Sequence, residues 1–407
     1  DSILTQNMIN AFSFQLPHDS TGASYFFLAL FSKSGDDAYE HIRNYIHHRP
    51  SDLRGHLLYS ELLFNNNEWF DALFQFQKAL WLDSNNIDAQ FGVGLCLYHL
   101  QEFNDAVSAF RKALKIDSYN HSAYYFLGRS LMAEDNFREA IPNLTQSLLL
   151  DPDNSDTYFN LGKSYFETGK IIQAREAFNR TIRIEPQYGS AYYHIGLINE
   201  DIMEIEKAVH AYTQAREYSP EIEDVHYRLG MLLFRTGELK QAMEPLRQFI
   251  IYQPDSLHVL EAMGEIFISE NRFPEAIDTY NRIQTIYPEK LEINLALAES
   301  FYQLKNYESA IEIYKNILLF DDENFEVMIK MGSIYNESGE YKNAENIFHE
   351  AINCTTPTMK MYYQLALTYG NQGNYMSAIL AFQEALKLEP DDVEIKYQLG
   401  VAYMEIG

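Results

Sequence analysis

Apolar and polar positions recur along this chain every 34 residues, most clearly in Ser155 to Tyr188, SDTYFNLGKSYFETGKIIQAREAFNRTIRIEPQY. With Ser155 as position 1, Tyr158, Leu161, Gly162 and Tyr165 stand at positions 4, 7, 8 and 11, and Ala174 and Phe178 at 20 and 24. Spacings of three and four place each group on one face of a helix. Gly169 at position 15 offers a left-handed residue that closes the first helix. Pro186 at position 32 forces the residue before it toward extended backbone and ends the second. The pattern predicts two short helices folded into a hairpin.

The count runs on without a gap. Repeats begin at residues 19, 53, 87, 121, 155, 189, 223, 257, 291, 325 and 359, and a last one at 393 stops at Gly407. Position 20 is alanine in every repeat that reaches it, from Ala38 and Ala72 to Ala344 and Ala378, and position 8 is Gly, Ala or Ser in all but the first, which has Phe26. Small residues there let the paired helices approach, while larger ones at positions 7, 11, 17 and 24 fill the space around the contact. Residues 1–18 read as an N-terminal helix, the second helix of an earlier repeat, with Leu4, Met8 and Ala11 at positions 20, 24 and 27. Residues 19–52 are a divergent first repeat, 53–392 ten uninterrupted repeats, and 393–407 the first helix of a further one. Leu399 and Tyr403 lie on the face that a second helix would cover, so the chain is expected to be a fragment of a longer protein or to dock its end on another copy. Stacked repeats form one continuous body, not the two or three domains that 407 residues alone suggest.

These residues resemble the tetratricopeptide repeat, whose signature of an aromatic, Leu-Gly, Tyr, Ala, aromatic, Ala and Pro recurs across residues 53–407, with a weaker match over 19–52. Position 4 departs from it, being Tyr124, Tyr158 or Tyr192 in some repeats and His226, Leu260, Asn294 or Lys396 in others, and never Trp. The resemblance implies an all-α, right-handed superhelical solenoid of helix-turn-helix repeats. It also implies that the first helices line a concave face, and that the role is docking peptides or proteins.

Charge narrows the partners. The net charge is -27, with 15 Lys and Arg against 25 Asp and Glu in residues 1–201 and 16 against 33 in 202–407. Nucleic acid demands a positive face and is excluded, and acidic membrane surfaces are disfavoured. No apolar run approaches the 18 residues that argue for a span. Cys96 and Cys354 lie more than seven repeats apart along a linear stack, which rules out a disulfide between them. Sparse cysteine fits a reducing cytoplasm and also many periplasmic proteins.

Candidate chemistry is thin. DPDNSD at 151–156 opens like a calcium loop, but Asp156 stands at its sixth place and Gly162 at its twelfth, where Gly and Glu are needed. The same segment is an inter-repeat turn, with Asp and Ser expected to cap the next helix. His41 and His48 share a helix face beside His47 without an evident third ligand. Acceptor triplets at Asn143, Asn179, Asn336 and Asn353 fall mostly on predicted helices and read as accidental. HExxH, GxSxG, GxxxxGK[ST] and GxGxxG do not occur. No catalytic residue, cofactor or metal is assigned.

With positions 4, 7, 8 and 11 buried, positions 2, 5, 9, 12 and 13 form an adjacent stripe. The resemblance implies that this stripe lines the groove. Position 5 reads Phe91, Tyr125, Phe159, Tyr193 and Tyr227 in successive repeats; position 12 adds Phe64, Tyr98, Met132, Phe166 and Phe234; Arg129, Lys163 and Arg235 supply positive charge. Beyond residue 256 the stripe turns acidic, through Glu261, Glu265, Glu292, Glu299, Glu326 and Glu337. Such a stripe suits an extended ligand with apolar and acidic groups at one end and basic groups at the other. The competing reading is that the rings stack on neighbouring helices and the glutamates form a solvated face.

Two arrangements known in the family are not matched. The carboxylate clamp needs Lys at position 5 and Asn at position 9, and neither occurs; the asparagine ladder of sugar-transferring enzymes needs repeated Asn at position 6, where only Asn160 qualifies. The expected function is a non-enzymatic scaffold or adaptor that binds a peptide segment or a protein. The alternatives are the substrate-recognition arm of a larger enzyme, such as a glycosyltransferase with its catalytic domain outside this chain, and self-association through exposed terminal repeats.

Overall fold

The computed structural model describes residues 25–26, 29–30, 35–354 and 356–407, and the fold is all-α. The helix expected within residues 1–18 lies outside the described residues. Contacts divide the chain into two compact bodies, Asp1–Pro220 and Glu221–Gly407. The division falls at a repeat boundary that no break in the 34-residue count marks.

The N-terminal body contains α1 (Gly35–His48), α2 (Leu53–Asn65), α3 (Trp69–Leu82), α4 (Ile87–His99), α5 (Phe103–Ile116), α6 (His121–Ala133), α7 (Phe137–Leu150), α8 (Ser155–Glu167), α9 (Ile171–Ile184), α10 (Gly189–Asp201) and α11 (Ile205–Tyr218). The C-terminal body contains α12 (Glu223–Arg235), α13 (Leu239–Tyr252), α14 (Leu257–Ser269), α15 (Phe273–Ile286), α16 (Leu291–Gln303), α17 (Tyr307–Phe320), α18 (Phe325–Glu337), α19 (Tyr341–Cys354), α20 (Met359–Asn371), α21 (Tyr375–Leu388) and α22 (Val393–Ile406). From residue 53 every first helix starts at position 1 and every second helix at position 17. Within each body, helices pack on their neighbours in chain order, making stacked hairpins of a tetratricopeptide-type solenoid.

Short polar signals set the helix ends. Asn86, Asn120 and Asn154 at position 34 cap the next helix, their Oδ1 atoms accepting from the N–H of Ala89, Ala123 and Thr157 at 2.9, 2.8 and 2.8 Å. In DPDNSD the cap is therefore Asn154, not Asp or Ser; Ser155 already belongs to the helix and its hydroxyl donates to Glu185 at 2.8 Å. A first helix closes through a left-handed residue at position 15. Gly169 there has φ 74°, and its N–H donates to the Phe166 carbonyl at 3.0 Å while Lys170 N–H reaches Tyr165 at 2.8 Å. Asn67, Gln101, Asp135, Met203, Asn271 and Lys305 take the same conformation, so the backbone imposes the turn even where no glycine permits it freely.

The core follows the expected contacts and adds two. Ala72, Ala106, Ala140 and Ala174 at position 20 are completely buried. A methyl group built on Gly162 would stand 2.7 Å from the Phe178 ring, and one on Gly196 2.5 Å from Tyr212, so position 8 must be small because the position-24 ring lies directly over it. Positions 3 and 10, which the sequence pattern did not mark, are sealed as well: Ala89, Thr157 and Val225 at the former, Cys96, Ser164 and Ile198 at the latter. A serine survives at position 10 because its hydroxyl donates to the carbonyl four residues back, Ser130 to Phe126 at 2.7 Å and Ser164 to Asn160 at 2.9 Å.

Both cysteines are free; Cys96 is buried, which pushes its thiol up to about 12, and Cys354 is exposed. Tyr25 stands against the histidine pair, its ring 6.1 Å from His41 and 5.9 Å from His48. Among the described residues no three His, Cys, Asp or Glu side chains are grouped to hold a metal, and no helix is long and apolar enough to cross a membrane.

Candidate functional site

The stripe of positions 2, 5, 9, 12 and 13 is partly open to solvent, and its rings are not free-standing. In the N-terminal body, Phe91, Tyr98, Tyr125, Phe159, Phe166 and Tyr193 are all half-buried, as are Arg129 and Lys163. Phe91 packs 5.7 Å from Phe110 and 6.0 Å from Phe126, which stacks on Phe110 at 5.9 Å. Phe159, Phe178 and His194 repeat the triangle at 5.8, 4.9 and 5.6 Å. Each joins position 5, position 24 of the same repeat and position 6 of the next. The position-5 ring therefore cements neighbouring repeats with one part of its surface and shows the rest to solvent.

Position 6 belongs to this layer too, outside the stripe of positions 2, 5, 9, 12 and 13. His194 is its most informative member. Its Nδ1 is sealed without a hydrogen-bond partner, and burial, helped by the Lys163 ammonium, holds the imidazole down at about 4. His194 thus behaves as a neutral flat ring, equivalent to Phe126. Phe159 also packs 4.9 Å from Tyr188, whose hydroxyl donates to Asp156 at 2.8 Å.

Arg129 sits in a cage of rings, its guanidinium carbon 5.1, 5.4 and 5.8 Å from the centres of Tyr98, Tyr125 and Phe126. It touches the Tyr125 hydroxyl at 3.4 Å. Lys163 has no ion-pair partner among the described residues.

Where position 5 is Leu57 and position 6 of the next repeat is Gly92, the ring triangle is not formed, Phe76 lies directly over Gly92, and a cleft of about 300 Å³ lies between α2 and α4. Phe64, Phe76, Phe91 and Leu95 wall it, and Glu61 and Asp88 enter it from positions 9 and 2. Partial burial, reinforced by Asp88, raises the Glu61 carboxyl above its ordinary range. Neither carboxylate has a hydrogen bond or ion pair among the described residues. The stripe is thus acidic here and basic at Arg129 and Lys163, an alternation within the stretch before residue 256.

In the C-terminal body, Tyr227 packs 5.1 Å from Phe249, Phe234 is half-buried and Arg235 is exposed. The glutamates differ in their partners. Glu261 pairs with Lys290 and lies 3.7 Å from His258. Glu299 accepts from Gln303 at 2.8 Å, and Glu337 accepts from Tyr302 and Tyr307 at 2.7 and 3.2 Å. Glu265 is exposed without an ion pair among the described residues.

The tetratricopeptide repeat matches residues 131–195 and 267–331, a second description of the same repeat matches 204–251, and a third, TPR repeat, matches 368–407. Residues 65–147 match the description anaphase-promoting complex, cyclosome, subunit 3. No curated protein matches the chain. Among solved structures it is similar to YrrB, described as a TPR protein with an unusual peptide-binding site, at 24% identity over 49% of this chain and 100% of that one, with a TM-score of 0.42. MamA shares 28% identity over 40% of this chain and 95% of its own, with a TM-score of 0.38. The pilF protein of Pseudomonas aeruginosa shares 21% identity over 52% and 97%, with a TM-score of 0.47.

Proposed function

The chain belongs to the tetratricopeptide-repeat family, whose members generally mediate protein–protein interactions, and from that premise we propose that it is a non-enzymatic scaffold holding a peptide or protein segment along the stripe of its N-terminal body. The observation that carries this reading is the half-open row of rings from Phe91 to Tyr193, with Arg129 and Lys163 beside it and the Glu61–Asp88 cleft at one end. Apolar side chains of the segment lie on the rings, which supply most of the energy. Carboxylates face Arg129 and Lys163, a basic side chain enters the cleft, and these charges fix direction.

Replacing rings by alanine is a poor test, because Phe159 also joins neighbouring repeats. Charge reversal spares them. The double variant Arg129→Glu/Lys163→Glu is expected to keep its circular dichroism spectrum and to lose partners retained by the wild-type chain in a parallel pull-down. A loss of about 2 kcal/mol or more, roughly thirtyfold in affinity, is the scale expected of central contacts. Equal retention by the folded variant defeats the proposal.

A further inference from the structure

The N-terminal body has a second concavity, formed on a different face of α10 from the stripe. It measures about 540 Å³, within the range of ligand pockets, and its walls include Arg175 and Ile182 of α9, Tyr192, Ile195 and Asn199 of α10, and His210 of α11. One residue of its wall departs from the repeat. Position 11 is Leu or an aromatic ring in every other repeat from the second onward, as at Leu131, Tyr165, Leu233 and Phe267, whereas here it is Asn199. Asn199 is only 5% exposed, and its carboxamide has no hydrogen-bond partner among the described residues. Its backbone carbonyl is already taken by the Glu204 N–H at 2.8 Å. The side chain is buried as a whole, yet its amide atoms are not among those sealed without a partner, so they stay open to the cavity that a leucine or tyrosine would fill. It offers a donor and an acceptor to the cavity.

An adjoining cleft of about 270 Å³ shares Arg175 and adds Arg180 and Arg183 of α9. None of these three arginines has an ion pair or hydrogen bond among the described residues, in a chain of net charge -27. Lys207, also at the rim, is held by Glu204 at 2.9 Å, and Glu206 of the cavity and Glu176 of the cleft stand beside the arginines, which leaves three guanidinium groups against two carboxylates. Guanidinium groups left open beside a half-apolar pocket match carboxylates, which they bind bidentately.

We propose that this cavity is a second binding site, which takes an acidic peptide segment of a partner protein. One aromatic side chain enters between Ile182 and Ile195, the adjacent peptide group hydrogen-bonds to Asn199, and flanking carboxylates lie on Arg175, Arg180 and Arg183. The test is calorimetric titration of the whole chain with the peptide Glu-Asp-Phe-Glu-Asp. Saturable binding that weakens with salt is expected, and about tenfold or greater loss in Asn199→Tyr and in Arg180→Glu/Arg183→Glu. Asn199→Tyr restores the residue type of Tyr165, so it is expected to unfold no earlier than the wild type. A peptide with alanine in place of phenylalanine is expected to bind at least tenfold more weakly. The Arg129→Glu/Lys163→Glu variant is expected to bind the peptide normally, which separates this site from the stripe. Absence of binding up to about 1 mM, or equal binding by Asn199→Tyr, overturns the assignment. Self-association abolished by Asn199→Tyr, without peptide binding, also overturns it and makes a second copy of the chain the occupant.

Discussion

At the residue scale, His194 shows how a polar side chain serves as a packing element. Phe178 stacks on its ring at an interplanar angle of 6°, and its protonation is suppressed to about 4 from an ordinary 6.5. The unfolded chain therefore binds a proton that the folded one refuses between these two values. The contribution of His194 to stability is complete above about pH 6.5 and is lost as the pH falls toward 4, by up to about 3 kcal/mol. Denaturant titrations across this range are expected to flatten in His194→Phe, which places a second Phe126-like ring in the triangle. An unchanged slope in that variant assigns the acid sensitivity to other groups. The sequence shows a histidine at position 6 but not its sealed Nδ1, because sealing depends on Phe159, Phe166 and Phe178 arriving from both helices of the preceding repeat.

At the element scale, a hairpin is set by how closely its helices approach. In the repeat that begins at Ser155, Gly162 lies under Phe178, and an added methyl group must displace the ring. Gly162→Ala is expected to cost about 1–3 kcal/mol in chemical denaturation. Gly400 has the same register position on α22 with nothing within 4 Å, so Gly400→Ala is expected to be neutral or to stabilise by up to about 1 kcal/mol through helix propensity. Equal effects at the two sites point to helix propensity rather than interhelical contact. Most of this element was legible: Gly or Ala at 8, Ala at 20 and a large residue at 24 state the approach outright. Positions 3 and 10 were not, because their residues range from Ala and Ser to Met and Ile, and only their common burial makes them equivalent.

At the scale of the whole molecule, charge and contact pattern act together. A chain of net charge -27 repels itself, and its ion pairs are largely exposed, as between Arg111 and Glu139 or Lys207 and Glu204, where each contributes little. Raising salt from about 0.01 M to about 0.15 M shortens the screening length from roughly 30 to 8 Å. The thermal midpoint is expected to rise; a fall shows that attractive pairs outweigh the net repulsion. What the sequence by itself determined is the helix register and the family, since every turn of the pattern is written in neighbouring residues three, four or 34 apart. What only the tertiary structure decided is which positions stay open. The Glu61–Asp88 cleft lies where Leu57 and Gly92 stand in place of rings, and the second cavity where Asn199 stands in place of a leucine or a ring. Both are spaces between helices of different repeats, and a space is fixed by the volumes of residues far apart in sequence.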